Sequence, residues 1–276
     1  MPTSDLRGHS LLAVLAHPDD ESLACGGLLA WCSALGARTS LLCLTHGEHG
    51  QGEGPARPAG APPLAEVRAK ELREAAGILG LDDVTILDHE DGMLPWLEAG
   101  RLETDILQAI QSGRPDVVIT FDEDGLYWHP DHLAVHERTT AAVATLRDHP
   151  PALYYVTMPA GAMRAVVDHA ATVTAGRDPH VRPPRSILGV ADADAFGALA
   201  APTTLVVETG GFARQKLRAL HCHRSQLEDG ALALIDGESA PRLLGIEHYR
   251  RAPVGAHGDT FLERLTSHIG APSPIV

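Results

Sequence analysis

Cysteine is scarce in this chain, and what there is does not pair. Cys25, Cys32, Cys43 and Cys222 are the only four among 276 residues, and no two stand at C-x-x-C spacing. Three of them lie in apolar segments, where a thiol packs as a small hydrophobe, so neither a disulfide framework nor a thiolate zinc site is expected. Basic residues are also few: 22 Lys and Arg stand against 36 Asp and Glu, for a formal net charge of -14. Nucleic acids and anionic membranes need clustered cations to neutralise phosphates, so neither is expected as a partner. No apolar run approaches the ~20 residues that span a bilayer. Among the longest is Leu11 to Ala16, and Asp19 to Glu21 would interrupt any signal-peptide core extended from it. A cytoplasmic location follows as the expectation. Finally, no G-x-G-x-x-G follows the first apolar run, and carboxylates occupy the place of a pyrophosphate. That argues against a non-catalytic nucleotide-binding module.

What is present is an alternation of short apolar runs with longer segments of helical period, the pattern of a mostly parallel sheet covered on both faces. Strands are predicted at Leu11–His17, Thr39–Thr45, Val84–His89, Asp116–Phe121, Leu153–Thr157 and Thr203–Val207. Helices are predicted at Ser22–Leu35, Leu64–Leu79, Leu102–Gln111 and Asp131–Leu146, with Gly36, Gly80 and Gly113 at their ends. The segment 51–63 is rich in Gly and Pro and reads as a long loop, a lid in the functional reading. The stretch 160–199 has no clear pattern. One α/β domain over 1–276 is the simplest account, with a Rossmann-like three-layer core at about 8–160 and a C-terminal elaboration at about 161–276.

Ligands of open α/β sheets bind beyond the carboxyl ends of the strands. The first strand is followed by His17, Asp19, Asp20 and Glu21, and the second by Thr45, His46, Glu48 and His49. Asp88, His89, Glu90 and Asp91 follow the third; Asp122, Glu123, Asp124, Tyr127, His129, Asp131 and His132 follow the fourth. Adjacent carboxylates on a buried strand repel one another and resist desolvation unless a cation, a proton or N–H donors compensate them. A divalent metal is the economical compensation, and imidazole with carboxylate suits Zn²⁺ or Fe²⁺. A helix N-cap accounts for one such carboxylate but not for the histidines. In "YWHPDH" the pairs His129/His132 and His132/His136 are three and four residues apart. Either pair shares one helical face, and spacing does not choose between them.

"AHPDDE" at Ala16–Glu21 together with "HPDH" at His129–His132 resembles the PIG-L/LmbE-like family of metal-dependent N-acetylglucosaminyl deacetylases. The likeness continues through "RAKELREAAGILG" at Arg68–Gly80, "DGM" at Asp91–Met93 and "HRSQ" at His223–Gln226. The resemblance implies a metal, Zn²⁺ or Fe²⁺, held by His17, Asp20 and His132. It implies Asp19 as general base, and His129, as imidazolium, stabilising the tetrahedral species. Asp131 is then placed to orient the His129 ring, Tyr127 helps to hold the oxyanion, and His136 falls outside the site. Arg68, Asp91 and Glu48 are the expected contacts to the sugar, against the plainer reading of Arg68 as a surface residue paired with Glu71 or Glu74. Glu21 remains for supporting the others or starting the helix, and Trp128 is unassigned. The implied partner is a small N-acetylglucosamine (GlcNAc) conjugate, such as GlcNAc-malate or GlcNAc-inositol, with an antibiotic glycoside or chitooligosaccharide as the alternative. Family likeness also implies a homo-oligomer.

Overall fold

The computed structural model describes residues 5–50, 60–227 and 230–267. The 51–63 loop lies for the most part outside these residues. In chain order the principal elements are β1 (Ser10–Leu15), α1 (Asp20–Ala34), β2 (Arg38–Thr45), α2 (Leu64–Leu79), β3 (Asp83–His89), α3 (Ala99–Gly113) and β4 (Val117–Phe121). They continue with the short turn α4 (Gly125–Trp128), α5 (Pro130–Thr145), β5 (Ala152–Thr157), α6 (Ala162–Arg177), β6 (Leu205–Glu208), α7 (Ala213–Leu220) and β7 (Ile246–Gly255). The seven strands form one sheet in the order β3-β2-β1-β4-β5-β7-β6. The first five are parallel, and β7 runs antiparallel to both β5 and β6. Helices α1, α2 and α7 pack together, as do α3 and α5, which makes the three layers expected from the alternating pattern.

Every residue of β1, β4 and β5 is buried, as central strands covered on both faces must be. The strand order reverses between β2 and β4, on either side of β1, so the carboxyl ends of β1 and β4 open into the crevice where such sheets bind ligands. β1 stops at Leu15 and α1 begins at Asp20, so the charged residues between them form the loop at this crevice. The last expected strand appears as Leu205–Glu208. The pattern did not give the short turn α4, α6 within the unassigned stretch, α7, or β7, whose arginines disguise a strand. Arg250 pairs with the buried Asp122 and Arg251 with Glu263, 3.1 Å away, so the charges are matched by residues remote in sequence. Among the described residues no helix is long and apolar enough to cross a membrane.

Helix α1 is kinked at Cys25 (φ -142°). The freed N–H groups of Gly27 and Leu28 donate to the two carboxylate oxygens of Glu247 on β7, at 2.8 and 2.9 Å. Lys216 on α7 and Tyr249 donate to the same carboxylate at 2.6 and 2.8 Å, so the buried charge is both paired and hydrogen-bonded. A Cβ on Gly27 would stand 2.5 Å from Thr209 Oγ1 and 3.0 Å from Glu247 Oε1. Gly27→Ala is therefore expected to cost about 1–3 kcal/mol through overpacking. Gly77→Ala on α2, where nothing lies within 4 Å of the added methyl, is expected to gain about 0.5–1 kcal/mol. Urea midpoints of the two variants against the parent check the opposite signs.

Candidate active site

The loop after β1 is shaped by its own side chains. The His17 N–H donates to Asp20 Oδ2 at 2.8 Å, and the Asp19 N–H to Glu21 Oε2 at 3.0 Å. Asp19 has φ 112°, a left-handed conformation that L-residues avoid outside special sites. The loop after β4 is equally specified. In α4 both Leu126 and Trp128 have φ 66°, and the turn is held by Leu126 N–H to Asp124 at 3.0 Å and by Trp128 N–H to the Asp124 carbonyl at 2.8 Å. Pro130 then starts α5 with His129 as its cap, which places His132 inside the first turn facing β1.

The two loops bring His17, Asp20 and His132 together, all buried. His17 Nδ1 lies 3.3 Å from His132 Nε2, and the Asp20 oxygens lie 3.3 Å from His132 Nε2 and 3.5 Å from His17 Nδ1. The outer ring nitrogens are engaged elsewhere. His132 Nδ1 donates to the Gly125 carbonyl at 3.0 Å, and His17 Nε2 sits 3.1 Å from both Asp91 and Asp131. Each ring is thus oriented by an outer acceptor with its inner nitrogen turned to the shared centre, the arrangement that metal-binding histidines adopt. Two imidazole nitrogens and a carboxylate without thiolate fit Zn²⁺ or Fe²⁺. His129 also brings a ring nitrogen within 4.8 Å of those of His17 and His132, and a second set joins His17, Asp91 and Asp131.

Charge compensation runs through the cluster. Burial alone would lower the His17 pKa, but the carboxylates of Asp131, Asp20 and Asp91 raise it well above the usual imidazole range. Burial would likewise raise Asp20, yet His132 and His17 hold it well below the ordinary carboxylate value. Asp19 moves the other way, pushed up to about 6 by burial, with Arg68 opposing and Asp20 adding to the rise. His129 is lowered to about 4 by burial and by the neighbouring His132 and His17. This favours the neutral form of the ring, where the resemblance implies an imidazolium. Since His129 Nδ1 accepts the Asp131 N–H at 3.2 Å, the neutral ring carries its proton on Nε2. Burial holds Tyr127 well above the normal phenol value, so its hydroxyl stays a donor, and its ring packs edge-on to those of His129 and His132.

Asp131 reaches the His129 ring through its backbone N–H, and its carboxylate points elsewhere. The carboxylate is taken by Gly92 N–H at 2.8 Å, Leu94 N–H at 3.1 Å and the His17 ring. It is a hub that fixes the loop after β3 to the start of α5. Asp91, on that loop, accepts the His49 N–H at 2.9 Å, and Glu48 Oε1 accepts the Asp91 N–H at 3.0 Å. Glu48 Oε2 has no partner among the described residues. Arg68 is only 4% exposed and is not a surface residue. Its guanidinium donates to Asp19 Oδ2 at 3.0 Å, the Pro18 carbonyl at 2.5 Å and the Gly47 carbonyl at 2.7 Å. Gly47 and Gly50 lie so close over it that a Cβ on either would run into the guanidinium. Glu71 and Glu74, its alternative partners from sequence, instead bind Ser225 and Arg224. His136 is turned away to the Phe121 carbonyl at 3.0 Å, outside the cluster. Trp128 stands half exposed beside His129.

Sequence reasoning missed the contribution of His223, whose Nε2 lies 2.8 Å from Glu21 Oε1. The "HRSQ" likeness was the available signal, but nothing in it names Glu21 as the partner.

The family described as GlcNAc-PI de-N-acetylase, PIG-L, matches residues 12–143. The 1D-myo-inositol 2-acetamido-2-deoxy-alpha-D-glucopyranoside deacetylase of Acidothermus cellulolyticus is 31% identical over 263 residues, covering 87% of this chain and 87% of that protein. The solved structure of N,N'-diacetylchitobiose deacetylase from Pyrococcus horikoshii superposes with a TM-score of 0.58 at 22% identity, covering 88% of this chain and 84% of that one. That of 4-carboxy-2-hydroxymuconate hydratase from Pseudomonas putida KT2440 gives a TM-score of 0.58 at 16% identity, covering 91% and 99%. These two structures share the fold, and a hydratase among them shows that the fold does not by itself select the reaction.

Proposed function

Because the chain belongs to the PIG-L family of GlcNAc-PI de-N-acetylases, we propose that it hydrolyses the N-acetyl group of a GlcNAc conjugate with a bound divalent metal, Zn²⁺ or Fe²⁺. The observation that carries this reading is the convergence of His17 Nδ1, His132 Nε2 and the Asp20 carboxylate within 3.5 Å of one another, with a separate carboxylate, Asp19, on the adjacent residue. His17, Asp20 and His132 are the residues that would hold the ion. Asp91 and Asp131 are poorer candidates, since they face the other ring nitrogen of His17, Nε2, rather than the point where His17 Nδ1, His132 Nε2 and Asp20 converge. When bound, such an ion lowers the pKa of water towards ~7 and polarises the amide carbonyl.

The chain's own residues do the rest. Asp19 is the base: it is fixed by Arg68 through Oδ2, and as a carboxylate it is free to accept the proton of the attacking water. Arg68 is thus reassigned from sugar contact to positioning residue for Asp19. His129, through Nε2–H, and the Tyr127 hydroxyl are neutral donors for the charge that develops on the carbonyl oxygen; such a donor is often worth about 3 kcal/mol. The proton collected by Asp19 is delivered to the amine as it leaves, and acetate departs. Glu48 Oε2 is a buried acceptor without a partner among the described residues, suited to a sugar hydroxyl. Asp91 is a second candidate for this role, through its loop position.

Relatives that carry the name of a myo-inositol 2-acetamido-2-deoxyglucopyranoside deacetylase favour the GlcNAc-inositol conjugate over GlcNAc-malate. The test is acetate release from GlcNAc-inositol, GlcNAc-malate and N,N'-diacetylchitobiose, each with and without a chelator. The highest kcat/KM is expected on GlcNAc-inositol, with activity lost on chelation and restored by added Zn²⁺ or Fe²⁺. Chelator-insensitive release, or none from any of the three, would rule the reading out.

A further inference from the structure

We propose that Glu21 and His223 form a buried positioning pair that holds the backbone of Asp19 in its left-handed conformation and so aims its carboxylate. This rests on the reading of Asp19 as the base. Asp19 needs an external hold, since φ 112° is unfavourable for any residue with a Cβ. Glu21 supplies it: Oε2 accepts the Asp19 N–H at 3.0 Å, while Oε1 is taken by Ser22 Oγ at 2.5 Å and His223 Nε2 at 2.8 Å. Glu21, Ser22 and His223 have no exposed surface at all. A carboxylate so deeply buried with one oxygen unpartnered would be free to rotate off the Asp19 N–H. His223 and Ser22 occupy that oxygen and lock the other in place.

His223 is itself anchored by the helix that carries Arg68. Glu71 on α2 accepts the Ser225 N–H at 2.9 Å and the Ser225 hydroxyl at 2.6 Å, and Glu74 accepts Arg224 at 2.6 Å. Arg68 from the same helix grips the Asp19 carboxylate. Helix α2 therefore reaches Asp19 by two routes, directly at its side chain and through Ser225, His223 and Glu21 at its backbone. The two routes converge on one residue, and neither His223 nor Glu21 touches the cluster of His17, His132 and Asp20 through a hydrogen bond among the described residues. The plainer alternative is that Glu21 only starts α1, as a first-turn carboxylate returning to the cap N–H often does.

The experiment uses the full-length, metal-loaded enzyme and the substrate with the highest rate. Melting temperature, metal per chain, kcat and KM are measured for Glu21→Ala, Glu21→Gln, His223→Phe and, as reference, Asp19→Asn. Loss of aim is expected to lower kcat of Glu21→Ala by about 100-fold with KM and metal content unchanged, and Glu21→Gln, whose amide oxygen still accepts the Asp19 N–H, to recover to within about tenfold. A folded Glu21→Ala with parental kcat overturns the proposal, as does an equal loss in Glu21→Gln. If Glu21→Ala does not fold, His223→Phe decides: a kcat drop of at least about tenfold at unchanged metal content is expected, and an unchanged kcat overturns the pair. Full activity in Asp19→Asn would instead sink the assignment of the base, while a dead Asp19→Asn beside a fully active Glu21→Ala sinks only the positioning pair.

Discussion

Asp19→Asn lowers kcat by about 10²–10⁴-fold, the range that a positioned base contributes, and leaves metal content at the parental level. The asparagine is nearly isosteric and keeps a carbonyl oxygen for the Arg68 guanidinium, which now stands 3.0 Å from Oδ2. What it loses is the capacity to accept a proton. The three groups that converge on the centre, His17, Asp20 and His132, are untouched by the change, which is why binding and turnover separate. Initial rates of acetate release, with metal analysis of the same preparation, check both halves. Wild-type turnover in Asp19→Asn would mean that another group takes the proton.

His132→Ala has the opposite signature: metal content falls towards zero and turnover goes with it. The imidazole is completely buried, faces His17 Nδ1 at 3.3 Å and Asp20 Oδ1 at 3.3 Å, and is held in that direction by Gly125. His129 also brings a ring nitrogen within 4.8 Å of those of His17 and His132, but its Nδ1 is occupied by the Asp131 N–H. The instructive contrast is Asp131→Asn. Its carboxylate touches His17 from outside and also bridges Gly92 and Leu94, so the substitution is expected to weaken metal affinity by about 10–100-fold without removing a ligand. Titration of the chelated protein with Zn²⁺ distinguishes the two variants. Retained stoichiometric binding in His132→Ala would show that the ligands have been assigned wrongly.

Much of this was open to reading in the chain itself, because the relevant signals are local. The apolar run of β1 and the polar break at His17 to Glu21 lie within a dozen residues, and an all-buried strand needs nothing else to be recognised. Helix α2 was legible from end to end, since its period and its terminal Gly80, found at φ 81°, are adjacent in sequence. Residues at strand ends are delivered to one edge by the parallel topology alone, so the gathering of the polar residues after β1 and β4 followed once the alternation was seen, while the choice of His17, Asp20 and His132 among them came from the family resemblance. The same local reading failed at β7. A strand carrying Arg250 and Arg251 looks like surface until Asp122 and Glu263 are placed against it.

The partners of the polar residues were decided only by the tertiary structure. Arg68 reads equally well as a sugar contact or as a solvated helix residue; three acceptors at Pro18, Asp19 and Gly47 hold it inside the site and exclude the solvated reading. Asp131 stands two residues from His129, yet its carboxylate goes to His17, 114 residues away. His223 meets Glu21 across 202 residues. The charge state of His129 likewise depends on burial and on two imidazoles from elsewhere in the site. Sequence by itself determined which chemical groups stand at the mouth of the sheet, because periodicity and strand ends are short-range properties. Which group orients which is set by hydrogen bonds in a desolvated interior, where a single partner from any point of the chain outweighs its sequence neighbours.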